Sequence, residues 1–253
     1  MRGTWLLMRR AINEVIRVPG AAIPGILAPT LFLLGLTAVF GKLTLLPGFS
    51  TSDFMAFILP ISVMQSATFS GAATGVNLAR DIEQGWFDRL YVSPLSRGAL
   101  LAGHVFSASL RALMPITAVV TIAVVFGVSI QGPDALVLAV LLAVAFAATI
   151  ACYSTILALH FRTQQAAPLM QAGAFMLVLF TTSYAPLDLL TGWFQDVARY
   201  NPVRFIVEGV RQMSVYGVDW THTWKALAAL AFLAVFFGTF AMRGLDRASD
   251  PKA

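Results

Sequence analysis

Charge is what this sequence has least of. Its 253 residues carry 17 Lys and Arg and 12 Asp and Glu, so only 11% of the chain is charged, where a soluble domain averages about 25%. Hydrophobic residues make up 58% of it, and mean hydropathy is +0.79. That balance argues against a water-soluble domain and for an all-α, polytopic membrane protein with a single domain over residues 1–253. Cysteine is almost absent. Cys152 stands alone in an apolar run, which excludes an internal disulfide. A nucleotide-binding loop is missing: Gly41-Lys42 is followed by Leu43, and Leu36 occupies the place of the first glycine. There is no HExxH, and His104, His160 and His222 lie too far apart for metal spacing. The chain therefore offers no catalytic residue, no metal site and no cofactor of its own.

What it does have is long uncharged runs. A membrane-crossing helix needs about 20 apolar residues. The first run, Val18–Gly41, contains Pro19, Pro24 and Pro29 and predicts a bent or late-starting helix. The second is Phe54–Ala79. Its Gly71 and Gly75 have the GxxxG spacing that lets two helix backbones approach, with a partner in this chain or in another. Ala102–Val128 follows, then a tight turn at Gln131–Asp134 and a fourth run, Ala135–Leu159. A polar turn, His160–Gln165, leads to a fifth, Ala166–Leu187. Asp188–Thr223 is too polar to span and too apolar for a free loop; it predicts two short amphipathic helices at the interface, or a re-entrant pair. The sixth run is Trp224–Met242, with Lys225 at its edge, and residues 244–253 form a short tail.

None of the six runs contains Asp or Glu, which weighs against proton- or sodium-driven transport. Arg111 is the charge set deepest in a run. It either snorkels to the interface or contacts the polar segment Arg80–Arg97, a lipid headgroup or an anionic substrate. Residues 1–17 lack the apolar stretch of a secretory signal. Wound as a helix, they place Trp5 and Met8 on one face and Arg9, Arg10 and Arg17 on the other, as in a helix lying on anionic lipid. With six spans both termini share a side. That side collects eleven of the seventeen Lys and Arg residues, including the four N-terminal arginines and Arg80, Arg89 and Arg97. The positive-inside rule puts the termini in the cytoplasm of a cell whose inner membrane holds the protein. With the basic residues so accounted for, the net charge of +5 gives no reason to invoke nucleic acid.

Between the second and third runs lies a polar island, Arg80–Arg97, bearing Arg80, Asp81, Glu83, Asp88, Arg89 and Arg97. Phe87, Leu90 and Tyr91 line one face at i, i+3 and i+4. Ser93-Pro94 would end a short helix there. A bundle with transporter character and no energy source of its own needs a place to receive work from a partner, and aromatic anchors flanked by charge suit that task.

The run Asp81-x-Glu83-x-Gly85-x-x-Asp88-Arg89-Leu90-x-x-Ser93-Pro94-x-Ser96-Arg97 resembles the cytoplasmic signature of ABC-2 type transporter permeases, in the branch of daunorubicin-resistance permeases and the nodulation-type and polysaccharide export permeases. Pro186, Gly192-Trp193-Phe194-Gln195, Asn201-Pro202, Glu208 and Arg211 are similar to that family's extracellular segment before the last helix. The resemblance implies two copies of a separate ABC ATPase subunit, which bind ATP and Mg, and a second permease subunit of the same or a related chain. It implies that Gly85, Phe87, Asp88, Arg89, Leu90, Tyr91 and Pro94 form or bound a coupling helix seated in the ATPase. Asp81, Glu83, Arg97 and Arg111 would brace it, with Arg9, Arg10 or Arg111 as partners for the two carboxylates. Trp193, Asn201, Pro202, Glu208 and Arg211 would line an extracellular exit. The expected function is export of an amphipathic drug, antibiotic or lipid. Export of a polysaccharide or glycolipid is the first alternative, an ATPase-independent secondary transporter or channel the second, and a non-transporting scaffold the third.

Overall fold

The computed structural model describes residues 23–45, 51, 53–87 and 96–248. The described residues are helical or irregular, with no strand among them. In order they form α1 (Ile23–Phe40), α2 (Phe54–Glu83), α3 (Arg97–Val125), α4 (Pro133–Phe161), α5 (Ala167–Leu179), α6 (Trp193–Tyr200), α7 (Val203–Arg211) and α8 (Trp220–Ala248). Five of them (α1, α2, α3, α4 and α8) are long and apolar enough to cross a membrane. The expected interfacial helix at residues 1–17, with Trp5, Arg9, Arg10 and Arg17, lies outside the described residues.

The signals that begin and end these helices are local. Asp53 caps α2 by accepting from the Met55 amide at 2.9 Å, and Ser96 caps α3 by accepting from the Ala99 amide. Gly132 precedes α4, with Pro133 in its first turn, where the missing N–H costs nothing. At the far end of α2, Gly85 takes a positive φ of 70° one residue past the cap Gln84, the backbone that only glycine adopts without strain.

The bundle is built around α2, which packs against α1, α3, α4, α5 and α7 and is buried along most of its length. Its buried hydroxyls are satisfied within the helix: Ser66, Ser70 and Thr74 each donate to the carbonyl four residues back. The closest packing is with α4. A Cβ on Gly71 would stand 2.6 Å from the Ala147 carbonyl oxygen, and one on Gly75 would stand 2.5 Å from Ser154 Cβ. Ser154 Oγ also donates to the Gly71 carbonyl at 3.0 Å. The GxxxG partner is thus a helix of the same chain.

One expectation fails outright. Ala166–Leu187 is not a continuous span; it is a 3-10 turn, the 13-residue α5, and a non-helical stretch from Phe180 to Pro186. The side chains that follow Leu179 permit the break. Thr181 and Ser183 both donate to the Val178 carbonyl, at 2.7 and 2.9 Å, offering the backbone an alternative to the helix. Pro186 then disfavours helix at Ala185. α8 also departs from expectation. It begins at Trp220 and continues through Asp246 into what the sequence reads as a tail.

Candidate functional site

At the island end of the bundle, α2 stops at Glu83 and Gly85 turns the chain. Glu83 Oε1 accepts from the Thr163 hydroxyl at 2.6 Å and from the Gln164 amide at 3.1 Å, while Oε2 accepts from the Gln164 side chain at 2.9 Å. The carboxylate therefore clasps the turn between α4 and α5. Arg111 Nη2 donates to the Thr74 hydroxyl at 2.8 Å, more than two helical turns deeper in the bundle than Glu83. Arg97 pairs with Asp246 of α8 at 2.7 Å. Both side chains of that pair are about half exposed, which limits its worth to well under about 1 kcal/mol. Asp81 is buried on the last turn of α2, at 9% exposure.

Phe87 requires a correction. Expected on a face turned to a partner, it is only 5% exposed and joins a buried cluster with Leu78 of α2, Leu101 of α3, Leu159 of α4, Met170 of α5 and Leu245 of α8. It roots the island in five helices. Its neighbour Trp86, which the sequence reading passed over, is exposed, at 52%. Asp88, Arg89, Leu90, Tyr91 and Pro94 lie outside the described residues.

If the clasp holds the α4–α5 turn, Glu83→Gln should loosen it. A neutral amide gives up the charge-assisted bonds, which are roughly twice as strong as neutral ones. The expected result is several-fold faster amide hydrogen exchange across Gln164–Ala166, with exchange in α4 unchanged. Equal exchange in the two proteins would show that the clasp carries no weight.

The opposite end holds a second polar constellation around the break in α5. Non-helical backbone at membrane depth is tolerated only where protein or water satisfies its polar groups. Here Arg211, at 7% exposure, does much of that work. Its Nη2 donates to the Thr182 carbonyl at 2.7 Å and to that of Ser183 at 3.4 Å, and its Nε donates to the Phe57 carbonyl at 3.2 Å. The guanidinium carbon lies 4.0 Å from the centre of the Phe57 ring. Burial pulls the Arg211 guanidinium down to about 10, with Glu208 and Tyr216 opposing, so it stays charged at neutral pH. Glu208 accepts from Arg204 Nε at 2.6 Å and from the Thr182 hydroxyl at 3.1 Å.

Asn201 completes the constellation. Its amide nitrogen donates to the Leu177 and Phe180 carbonyls, at 2.8 and 2.7 Å, which the end of α5 leaves open. Its side-chain oxygen accepts from the Val203 amide, and Pro202 opens α7. Trp193, 66% exposed, packs edge-on against Phe180 and Phe194. The structure thus brings Asn201, Glu208 and Arg211 together on the broken helix and leaves Trp193 at the rim. Thr182 and Ser183 are the members that the sequence reading missed. The Thr-Thr-Ser run before Pro186 was the available signal.

A family model described as ABC-2 type transporter matches residues 2–215. The chain is 24% identical over 236 residues to the protein named as transport permease ycf38 in Cyanophora paradoxa, covering 92% of this chain and 81% of that one. It is 25% identical over 240 residues to the daunorubicin resistance ABC transporter permease protein DrrB1 of Streptomyces coeruleorubidus, with 92% and 82% covered. A third relative, from Mycobacterium tuberculosis and named for doxorubicin resistance as an ABC transporter permease, is 24% identical over 83% of this chain and 75% of its own length. With a match that runs from the N-terminal segment through the island to the polar constellation of α7, the chain belongs to the ABC-2 type transporter family.

Proposed function

We propose that this protein is the membrane subunit of an ATP-driven exporter, moved by a separate ABC ATPase that docks on the island and carrying amphipathic, drug-like cargo outwards. The observation that carries the reading is the rooting of the island. Phe87 sits in a cluster contributed by five helices, and Glu83 holds the α4–α5 turn. A push on residues 85–97 would enter that cluster through Phe87 and the α4–α5 turn through Glu83. The names of the daunorubicin- and doxorubicin-resistance relatives support a hydrophobic drug as cargo.

On this reading the chain crosses the membrane six times, with both termini in the cytoplasm. α4 and α8 run in the same direction: Leu159 approaches Gly244, and Leu142 and Ala226 both lie beside Gly209. The chain must return the length of the bundle between them. The return starts at Gln164, beside Glu83, and reaches Tyr184, whose hydroxyl accepts from Gln65 of α2. The fifth crossing is then α5 with its extended continuation, and the segment from Asp188 to Thr223 faces the exit. Asp88, Arg89, Leu90 and Tyr91 form the coupling surface together with exposed Trp86, while Phe87 anchors it. Two permease subunits enclose the path.

Reversal of charge at Asp88 or Arg89 tests the reading. The permease should still reach the membrane and fold, and substrate-stimulated ATP hydrolysis by the reconstituted complex should fall to its basal rate. Normal stimulation in both variants would remove the island from the coupling role. Failure of any ATPase subunit to co-purify under mild extraction would instead favour an ATPase-independent transporter.

A further inference from the structure

α6 has almost no core of its own. Of its eight residues only Ala198 is buried, and Trp193, Val197 and Tyr200 stand exposed at helical spacing. What holds it is the end of α5. The rings of Trp193 and Phe194 both pack edge-on against Phe180, with centres 5.9 and 5.6 Å away. Gln195 Nε2 donates to the Leu187 carbonyl at 3.0 Å. Asn201, directly after α6, donates to the Leu177 and Phe180 carbonyls. α7 is held differently. Its Val203, Ile206 and Val207 are fully buried in the main core, where α7 packs against α2, α4 and α8. α6 is thus fixed to α5 and α7 to the bundle, with Asn201-Pro202 as the joint between them.

The other end of α5 is pinned as well. Thr163 and Gln164, just before it, are clasped by Glu83, beside the Gly85 turn that opens the island. Between the two pins α5 is attached along one stripe. Met170, Ala174 and Val178 are its buried residues, while Leu169 and Met176 are exposed. A helix held along a single stripe can slide past its neighbours, the small shear by which packed helices move. We propose that α5 sets the position of α6 from the island, with Glu83 and Asn201 as the positioning residues at its two ends. A helix of 13 residues is a stiff unit about 20 Å long, so a shift at the clasp arrives at Phe180 and carries α6 with it. The proposal rests on the coupling reading only for what moves the island; the link itself is a property of the permease alone.

Amide hydrogen exchange on the full chain in maltoside micelles, with no ATPase and no transport, tests the link. Isolated helices shorter than about 12 residues are marginal in water, so exchange in the eight-residue α6 reports how well α5 holds it. Glu83→Gln should speed exchange several-fold in α6 as well as at Gln164–Ala166, and leave α7 unchanged. Arg97→Ala breaks the other island contact, to Asp246, without touching α5, and should leave α6 at the parent rate. Asn201→Asp keeps the acceptor for the Val203 amide and loses the donor to Leu177 and Phe180. It should speed exchange in α6 by itself. Adding Glu83→Gln to it should then change nothing further, because two residues that act through one element are not additive. Glu83 is exposed, so the comparison of Glu83→Gln with Arg97→Ala stands even where Asn201→Asp does not fold. Exchange in α6 at the parent rate in Glu83→Gln, an equal rise in Arg97→Ala, or effects that multiply in the double variant would each overturn the link. Normal ATPase stimulation in the Asp88 and Arg89 variants would bear on the proposed function and not on this link.

Discussion

Replacing Arg211 by methionine should destabilise the permease by several kcal/mol, chiefly because buried carbonyls lose their donor at a cost of about 1–3 kcal/mol each. The length and apolar volume of the side chain are kept, so the change isolates the guanidinium. Two consequences follow at once. The Thr182 and Ser183 carbonyls, buried in a stretch with no helical hydrogen bonds of its own, lose their donor. The cation–π contact with Phe57 also disappears, and with it the tie between α7 and the start of α2. Arg211→Lys keeps the charge but has no planar fork to reach Phe57 and Thr182 together, so it should recover only part of the loss. The measurement is the detergent-solubilised unfolding midpoint of the three proteins. A midpoint for Arg211→Met equal to the parent's would mean that the break in α5 is held by other contacts.

Gly75→Leu should prevent the folded bundle from accumulating in the membrane. Lipid is as apolar as a leucine side chain, so helices inside a bilayer are held chiefly by close packing and hydrogen bonds. The contact of α2 with α4 depends on that closeness. A Cβ at Gly75 meets Ser154 Cβ and the Ser154 carbonyl oxygen, both at 2.5 Å, and the Ser154 hydroxyl is already committed to Gly71. Backbone lies behind the clash, so rotating a side chain cannot relieve it and the two helices must separate. Overpacking of this kind costs about 1–3 kcal/mol or more, and here the central helix of the bundle loses its main partner. Gly75→Ala should produce a smaller version of the same defect. Gly35→Leu serves as the control, because a Cβ at Gly35 of α1 meets nothing within 4 Å. Membrane-fraction yield and size-exclusion profile distinguish the cases. A monodisperse Gly75→Leu protein at normal yield would show that α2 and α4 can part without unfolding.

The two predictions concern residues of different legibility. Gly71 and Gly75 stand out in the sequence because their spacing has a general packing meaning, although the partner helix does not. Arg211 and Glu208 were legible only through resemblance, and nothing in their spacing announced a buried cation above Phe57, a residue more than 150 positions earlier. Phe87 shows the reverse. Its i, i+3, i+4 pattern with Leu90 and Tyr91 describes an apolar face without saying what that face meets, and the ring turns into the bundle.

By itself the sequence determined the class of the protein, its long helices and the position of the island, because hydropathy acts over some 20 residues and needs no partner. It also placed the turn before α4, since Gly132 and Pro133 act through their own backbone. Only the tertiary structure decided that the fifth apolar run is broken after Leu179. That break requires Asn201 and Arg211 to arrive from 20 to 30 residues downstream and satisfy the carbonyls it opens. Local periodicity carries no information about such distant donors, and without them an interrupted helix inside the membrane would not be stable.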